Sequence, residues 1–78
     1  MYAFGEFVLD LQLYQLRQAE QPVPLEPKVF DVLRYLIEHR DRVATKQELL
    51  AALWPNEVVT EAVLPTNINA LRRALGQQ

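Results

Sequence analysis

Apolar residues in the first part of the chain are spaced as in short strands, and from Pro27 onward their spacing becomes helical. The strand-like groups are Tyr2, Phe4, Phe7 and Leu9; then Leu11, Leu13, Tyr14 and Leu16; then Val23 and Leu25. Short runs of aromatic and branched residues predict strands, with turns here at Asp10 and at residues 18–21. Pro22 and Pro24 cannot donate to a ladder, which confines their strand to an edge. The pattern therefore predicts a small antiparallel sheet.

Three helices are predicted after this sheet. In the first, over about residues 27–40, apolar residues recur at helical spacing and a proline suits the first turn. The second begins with a Thr45-x-x-Glu48 capping box, whose two side chains accept backbone N–H groups from each other, and it stops at Pro55. Strands followed by helices in a chain of 78 residues indicate one α+β domain over residues 1–78.

The third helix is expected to run from about Thr60, which suits an N-cap, to Leu75, with Gly76 as its stop. Pro65 interrupts this pattern because it lacks the N–H that would bond the carbonyl four residues earlier. Either the helix begins near Pro65, after a separate turn over residues 60–64, or its first turn is kinked at a cost of up to ~3 kcal/mol. The later start is the favoured interpretation.

The two faces of the third helix differ in chemistry. Its apolar line contains Leu64, Ile68, Leu71 and Leu75, and its far side contains Ala62, Thr66, Asn69 and Arg73. Asparagine and arginine side chains can hydrogen-bond base edges, and neighbouring arginines can meet phosphates. The alternative is an ordinary amphipathic helix whose polar side is solvated.

Composition excludes several kinds of site. The chain has no cysteine and a single histidine, His39, so neither a disulfide framework nor a zinc site is expected, and no cofactor is indicated. His39 is expected to act as a partner of the first helix's C-terminal dipole. The net charge of −2 argues against nucleic acid, but residues 58–78 contain two arginines and only Glu61, so one face can be locally positive.

Membrane and export signals are not indicated. No stretch reaches the ~20 apolar residues that span a bilayer. The N-terminal segment is interrupted by Glu6 and Asp10 and does not resemble a signal peptide. A cytoplasmic location is therefore expected.

Several segments, in order and with matching spacings, resemble one known family. They are Phe4-Gly5-Glu6-Phe7 with Leu9-Asp10, Leu16-Arg17, residues 23–33, residues 42–50, Leu53-Trp54-Pro55 and residues 68–76. The chain in this respect resembles the OmpR/PhoB-type winged-helix DNA-binding domain of bacterial transcription regulators. The resemblance implies a four-stranded N-terminal sheet packed on three helices, the third of which enters the major groove of double-stranded DNA.

The resembled family carries a C-terminal hairpin, the wing, after the third helix. The present sequence ends at Gln78, before a wing could form, so a domain truncated before the wing is expected. An uncovered wing site would favour self-association or domain swapping.

The residues and the resemblance together suggest eight DNA contacts. They are Thr45, Lys46, Trp54, Thr66, Asn67, Asn69, Arg72 and Arg73. The start of the second helix offers free N–H groups and a positive dipole to a phosphate, and the indole N–H of Trp54 can reach one. For Trp54 the alternative is packing alone, and for the two asparagines it is simple solvation. Where many relatives carry arginine, histidine or aspartate, this chain has Ala62, Pro65, Asn67 and Ala70.

Two functions from different classes remain open. The first is a DNA-binding module of a bacterial transcriptional regulator, with the third helix in the major groove. The alternative is a winged-helix-like protein–protein interaction module that has lost DNA binding, which the acidic net charge and the alanines favour. An enzyme is not indicated, because nucleophile, base and metal ligands do not occur together.

Overall fold

Four short strands precede three helices in the computed structural model, which describes residues 1–76. The strands are β1 (Tyr2–Phe4), β2 (Phe7–Asp10), β3 (Gln15–Gln18) and β4 (Gln21–Val23), and the helices are α1 (Pro27–Glu38), α2 (Lys46–Leu53) and α3 (Val63–Ala74). The strands form one antiparallel sheet in the order β1-β2-β3-β4. The predicted α+β order and the four-stranded sheet are therefore confirmed.

The β2–β3 connection corrects the predicted second strand. The Asp10 carboxylate accepts the backbone N–H groups of Gln12 at 2.9 Å and Leu13 at 3.0 Å, which closes a turn and confirms the turn expected there. Residues 11–14 consequently lie outside the ladder, and the strand begins only at Gln15. Tyr14, at a φ of 53°, stacks its ring on Phe30 of α1 instead. The aromatic and branched residues of this segment therefore form a turn and a contact with α1, and not a strand.

Two-residue turns join the remaining strands. In the β1–β2 turn Gly5 has a φ of 56°, which glycine adopts without steric cost. The β3–β4 turn has Ala19 and Glu20 at φ values of 49° and 69°, the pattern of a type I′ hairpin turn. Leu25 lies beyond β4, after Pro24, so the last predicted strand is shorter than expected.

Helix α1 is the central element of the core. It packs against both α2 and α3, and its Phe30 and Val32 are almost fully buried. The buried apolar residues come from the sheet and all three helices: Leu9, Leu16, Val29, Phe30, Val32, Leu33, Leu49, Trp54, Leu64 and Leu71. At the end of α1, His39 places its Nδ1 2.9 Å from the Tyr35 carbonyl oxygen, as a partner of the helix terminus. The position of α3 is therefore set through α1.

Helix α2 begins and ends where the sequence predicts. The Thr45 hydroxyl accepts the Glu48 N–H at 3.0 Å, which confirms the N-cap. The helix ends at Leu53, whose carbonyl oxygen accepts the Lys28 ammonium at 2.5 Å. The same ammonium lies 5.3 Å from the ring centroid of Trp54, so this side chain of α1 also contacts the residue that follows α2.

Helix α3 begins at Val63, three residues later than its first predicted boundary. Thr60 is not the N-cap; its carbonyl oxygen accepts the Val63 N–H at 3.1 Å in a preceding turn, and Ala62 occupies the cap position. Pro65 thus lies in the first helical turn, where a missing N–H costs nothing. The favoured interpretation of a turn followed by a later start is confirmed, but the turn is shorter than the predicted residues 60–64, since the helix already includes Val63 and Leu64. Gly76, at a φ of 80°, follows the helix as expected.

Candidate nucleic-acid interface

One face of α3 is exposed along its whole length. The exposed residues at its start and along it are Ala62, Pro65, Thr66, Asn69, Arg72 and Arg73. On the opposite face Leu64 and Leu71 are buried in the core. The apolar line expected from the sequence therefore anchors the helix, and the small, amide-bearing and basic side faces solvent.

Two of the polar side chains on α3 are bonded to the helix itself. The Thr66 hydroxyl donates to the Ala62 carbonyl oxygen at 2.9 Å, and the Asn67 amide donates to the Val63 carbonyl oxygen at 2.8 Å. Asn67 is half-buried, whereas Asn69 is exposed. Both asparagines were predicted as DNA contacts, but only Asn69, which helical spacing places on the outer face, is exposed.

Arg72 and Arg73 lie in the last turn of α3 with exposed side chains. Within residues 1–76 neither forms an ion pair with a carboxylate. Their charges complement the negative end of the helix dipole and remain available to an external anion.

The start of α2 lies beside the turn that precedes α3. The Lys46 ammonium is 3.8 Å from a Glu61 carboxylate oxygen, with side-chain exposures of 56% and 72%. Thr45, also exposed, caps this end of α2. The structure thus brings the predicted phosphate site of α2 next to the N-terminal end of α3.

Trp54 has a different environment from the other candidates. It is 6% exposed and belongs to the core cluster, with the Lys28 ammonium above its ring. This position matches the packing alternative for its aromatic body. The Lys28 ammonium and the Trp54 ring thus form part of the contact between α1 and the end of α2.

A side-chain network that the sequence did not suggest fixes the α1–α2 connection. Arg42 donates two hydrogen bonds to the Glu48 carboxylate, one of 2.7 Å to Oε1, and the Tyr35 hydroxyl donates to the same carboxylate. The Arg42 bonds, followed by the Tyr35 bond, lower the pKa of Glu48 to about 2. The bond to Glu48 also raises the pKa of Tyr35. Because the capping box already explains Glu48, sequence spacing gave no separate signal for these partners.

Among residues 1–76, no group of three or more histidine or acidic side chains is arranged to hold a metal ion. In the same part of the chain, no helix has the length and apolar character needed to cross a membrane.

Comparison with protein families gives one match over most of the chain. The family described as "Transcriptional regulatory protein, C terminal" matches residues 20–78. Among individual proteins, the chain is 36% identical over 72 residues to the two-component response regulator PhoP of Pseudomonas aeruginosa, covering 91% of the chain and 32% of that protein. It is 28% identical over 71 residues to the transcriptional activator CadC of Escherichia coli, covering 91% of the chain and 14% of that protein.

A solved structure supports the same relationship. The response regulator DrrB of Thermotoga maritima, an OmpR/PhoB homologue, superposes with a TM-score of 0.85 at 28% sequence identity. The match covers 92% of the present chain and 33% of DrrB. The chain therefore corresponds to about a third or less of the length of each of these relatives.

Proposed function

The chain belongs to the family of C-terminal domains of transcriptional regulatory proteins and is a DNA-binding module of a transcription regulator, and we propose that α3 is the helix that enters the major groove. The observation that carries this proposal is the exposed face of α3, with amide and guanidinium groups opposite two buried leucines. A helix anchored on one side and polar on the other can lie in a groove while its apolar side stays packed in the core. The comparisons do not favour the alternative of a protein–protein interaction module.

Phosphate contacts are assigned to two places, the start of α2 and the last turn of α3. Thr45 and Lys46, at the start of α2, offer free backbone N–H groups and an ammonium to one phosphate. Arg72 and Arg73, in the last turn of α3, offer two guanidinium groups to another part of the backbone. These contacts fix the orientation of the module on the duplex.

The four remaining candidates act in two ways. Thr66 and Asn69, exposed on the outer side of α3, face the base edges. Trp54 and Asn67 act mainly by position: the indole packs the end of α2 on α1, and the amide is bonded within α3.

The whole protein is proposed to be a bacterial transcription regulator that uses this segment to bind its operator DNA. The relatives PhoP and CadC, named as a response regulator and a transcriptional activator, support this proposal. Its site of action is proposed to be the cytoplasm, where bacterial operators lie.

Fluorescence anisotropy with a labelled mixed-sequence duplex tests the proposed surface. Affinity should fall as salt rises from about 50 to 200 mM, because phosphate contacts release counterions. The double variant Arg72→Gln/Arg73→Gln should flatten the dependence of log K on log salt by about 0.9 for each phosphate that is no longer neutralised.

The matched control is Arg34→Gln/Arg40→Gln, which removes two exposed arginines from the region of α1. This control should retain the original salt dependence. Equal reductions of affinity in the two double variants, or no binding by the unchanged chain at low salt, would show that α3 does not form the interface.

A further inference from the structure

Asn67 and Asn69 point to different sides of α3. At about 100° per residue, two positions apart corresponds to about 200° around the helix axis, so the side chains project in nearly opposite directions. Their burial agrees with this geometry, since Asn69 is exposed and Asn67 is half-buried. Only one of the two asparagines can therefore face a given DNA groove.

Hydrogen bonding also distinguishes the two amides. The Asn67 amide nitrogen already donates to the Val63 carbonyl oxygen at 2.8 Å. The Asn69 amide forms no side-chain hydrogen bond with another group of residues 1–76. Reading a base with Asn67 would require breaking an existing bond and turning the side chain outward. Asn69 can form both hydrogen bonds to a base without either change.

The neighbours of Asn69 on the exposed face add little hydrogen-bonding capacity. Ala62 and Pro65 carry no side-chain donor or acceptor, and the Thr66 hydroxyl donates its proton to the Ala62 carbonyl oxygen. Thr66 therefore presents an oxygen that can still accept a hydrogen bond, together with a methyl group, which suits contact with the methyl group of thymine. In the N-terminal two-thirds of α3, Asn69 is thus the exposed side chain able to form a bidentate pair with a base.

We propose that Asn69 is the main base-reading residue of this module, that it recognises an adenine in the major groove, and that Asn67 does not read sequence. This inference rests on the proposed function of α3. An asparagine amide matches the N7 acceptor and the N6 donor of adenine. Arg72 and Arg73, in the last turn, hold phosphates, because helix-turn-helix modules contact bases mainly with the N-terminal part of the recognition helix.

The test is selection of duplexes from a randomised pool by the unchanged chain and by the variants Asn69→Ala and Asn67→Ala at low salt. The unchanged chain and Asn67→Ala should enrich the same motif with an adenine at one position. Asn69→Ala should bind without that one preference, a reduction in discrimination of roughly 5- to 150-fold. Asn69→Arg should change the preferred base at that position to guanine, because arginine pairs with the O6 and N7 atoms of guanine.

A second measurement changes a single atom of the DNA and leaves the unchanged chain as it is. Replacing the selected adenine by 7-deazaadenine removes the N7 acceptor and should weaken binding by the unchanged chain but not by Asn69→Ala. An adenine preference that survives in Asn69→Ala, or disappears in a folded Asn67→Ala, would overturn the assignment to Asn69 while leaving DNA binding by α3 intact. Failure of the unchanged chain to bind any duplex would instead overturn the proposed function itself.

Discussion

Replacing Glu61 with glutamine is expected to strengthen DNA binding, because Glu61 is the acidic side chain that lies against Lys46. The carboxylate and the ammonium are 3.8 Å apart beside the N-terminal end of α3. Glu61 is also the only acid between residues 58 and 78. Glutamine keeps the size of the side chain and removes its charge, which changes the net charge from −2 to −1.

The magnitude follows from the exposure of the pair. Both side chains are more than half exposed, so the pair should contribute no more than about 1 kcal/mol to folding. A carboxylate about 8 Å from a phosphate in water is repelled by about 0.5 kcal/mol. Together with a phosphate contact by the released Lys46, this predicts an affinity gain of roughly two- to fivefold at low salt and a salt dependence steeper by up to about 0.9.

Anisotropy titrations at several salt concentrations measure both quantities, and a thermal melt checks stability. The matched control is Glu20→Gln, which makes the same charge change in the β3–β4 turn. If the gain acts through Lys46, then Glu61→Gln should raise affinity less when Lys46→Gln is already present. Equal gains from Glu61→Gln and Glu20→Gln, with unchanged salt dependence, would refute a phosphate contact at the start of α2.

Three further predictions concern the scaffold. Glu20→Gly should raise the free energy of unfolding by up to about 1 kcal/mol in urea titrations, because glycine adopts a positive φ without the steric cost of a side chain, and Ala at the same position should show no such gain. Asp10→Ala should lower it by about 1–3 kcal/mol, since two turn N–H groups lose their acceptor, and Asp10→Asn, which retains an oxygen, should lower it less. The pKa of Glu48 is lowered from 4.5 to about 2 in the folded chain, so its ionised carboxylate stabilises the fold above pH 4.5. This stabilisation is lost as the pH falls toward 2. Thermal melts at acid pH should show the loss in the unchanged chain and not in Glu48→Gln.

Local pattern accounts for most of the element order. Helical spacing and proline placement predicted α1 from Pro27, and the Thr45 cap predicted the start of α2. The strand prediction was wrong over residues 11–14 because the Asp10 carboxylate closes a turn there and Tyr14 packs on a helix. Apolar and aromatic residues do not reveal by themselves whether they pack within a ladder or across to another element.

Some features of the candidate site also follow from local sequence, whereas others depend on the tertiary structure. Periodicity alone separated the buried leucines of α3 from its outer face, since position around a helix depends only on sequence separation. The pairing of Lys46 with Glu61, by contrast, needs α2 and the start of α3 side by side. The same holds for the burial of Trp54 beneath Lys28, which depends on how α1 meets the end of α2.

The sequence by itself therefore determined the element types, the amphipathic face of α3 and, through its motifs, the family, because these properties depend on the order and spacing of residues along the chain. Only the tertiary structure decided which side chains are partners, as for the carboxylate of Glu48, which accepts hydrogen bonds from Arg42 and Tyr35. The physical reason is that burial and hydrogen-bond partners depend on distances in space between elements that are far apart in the chain.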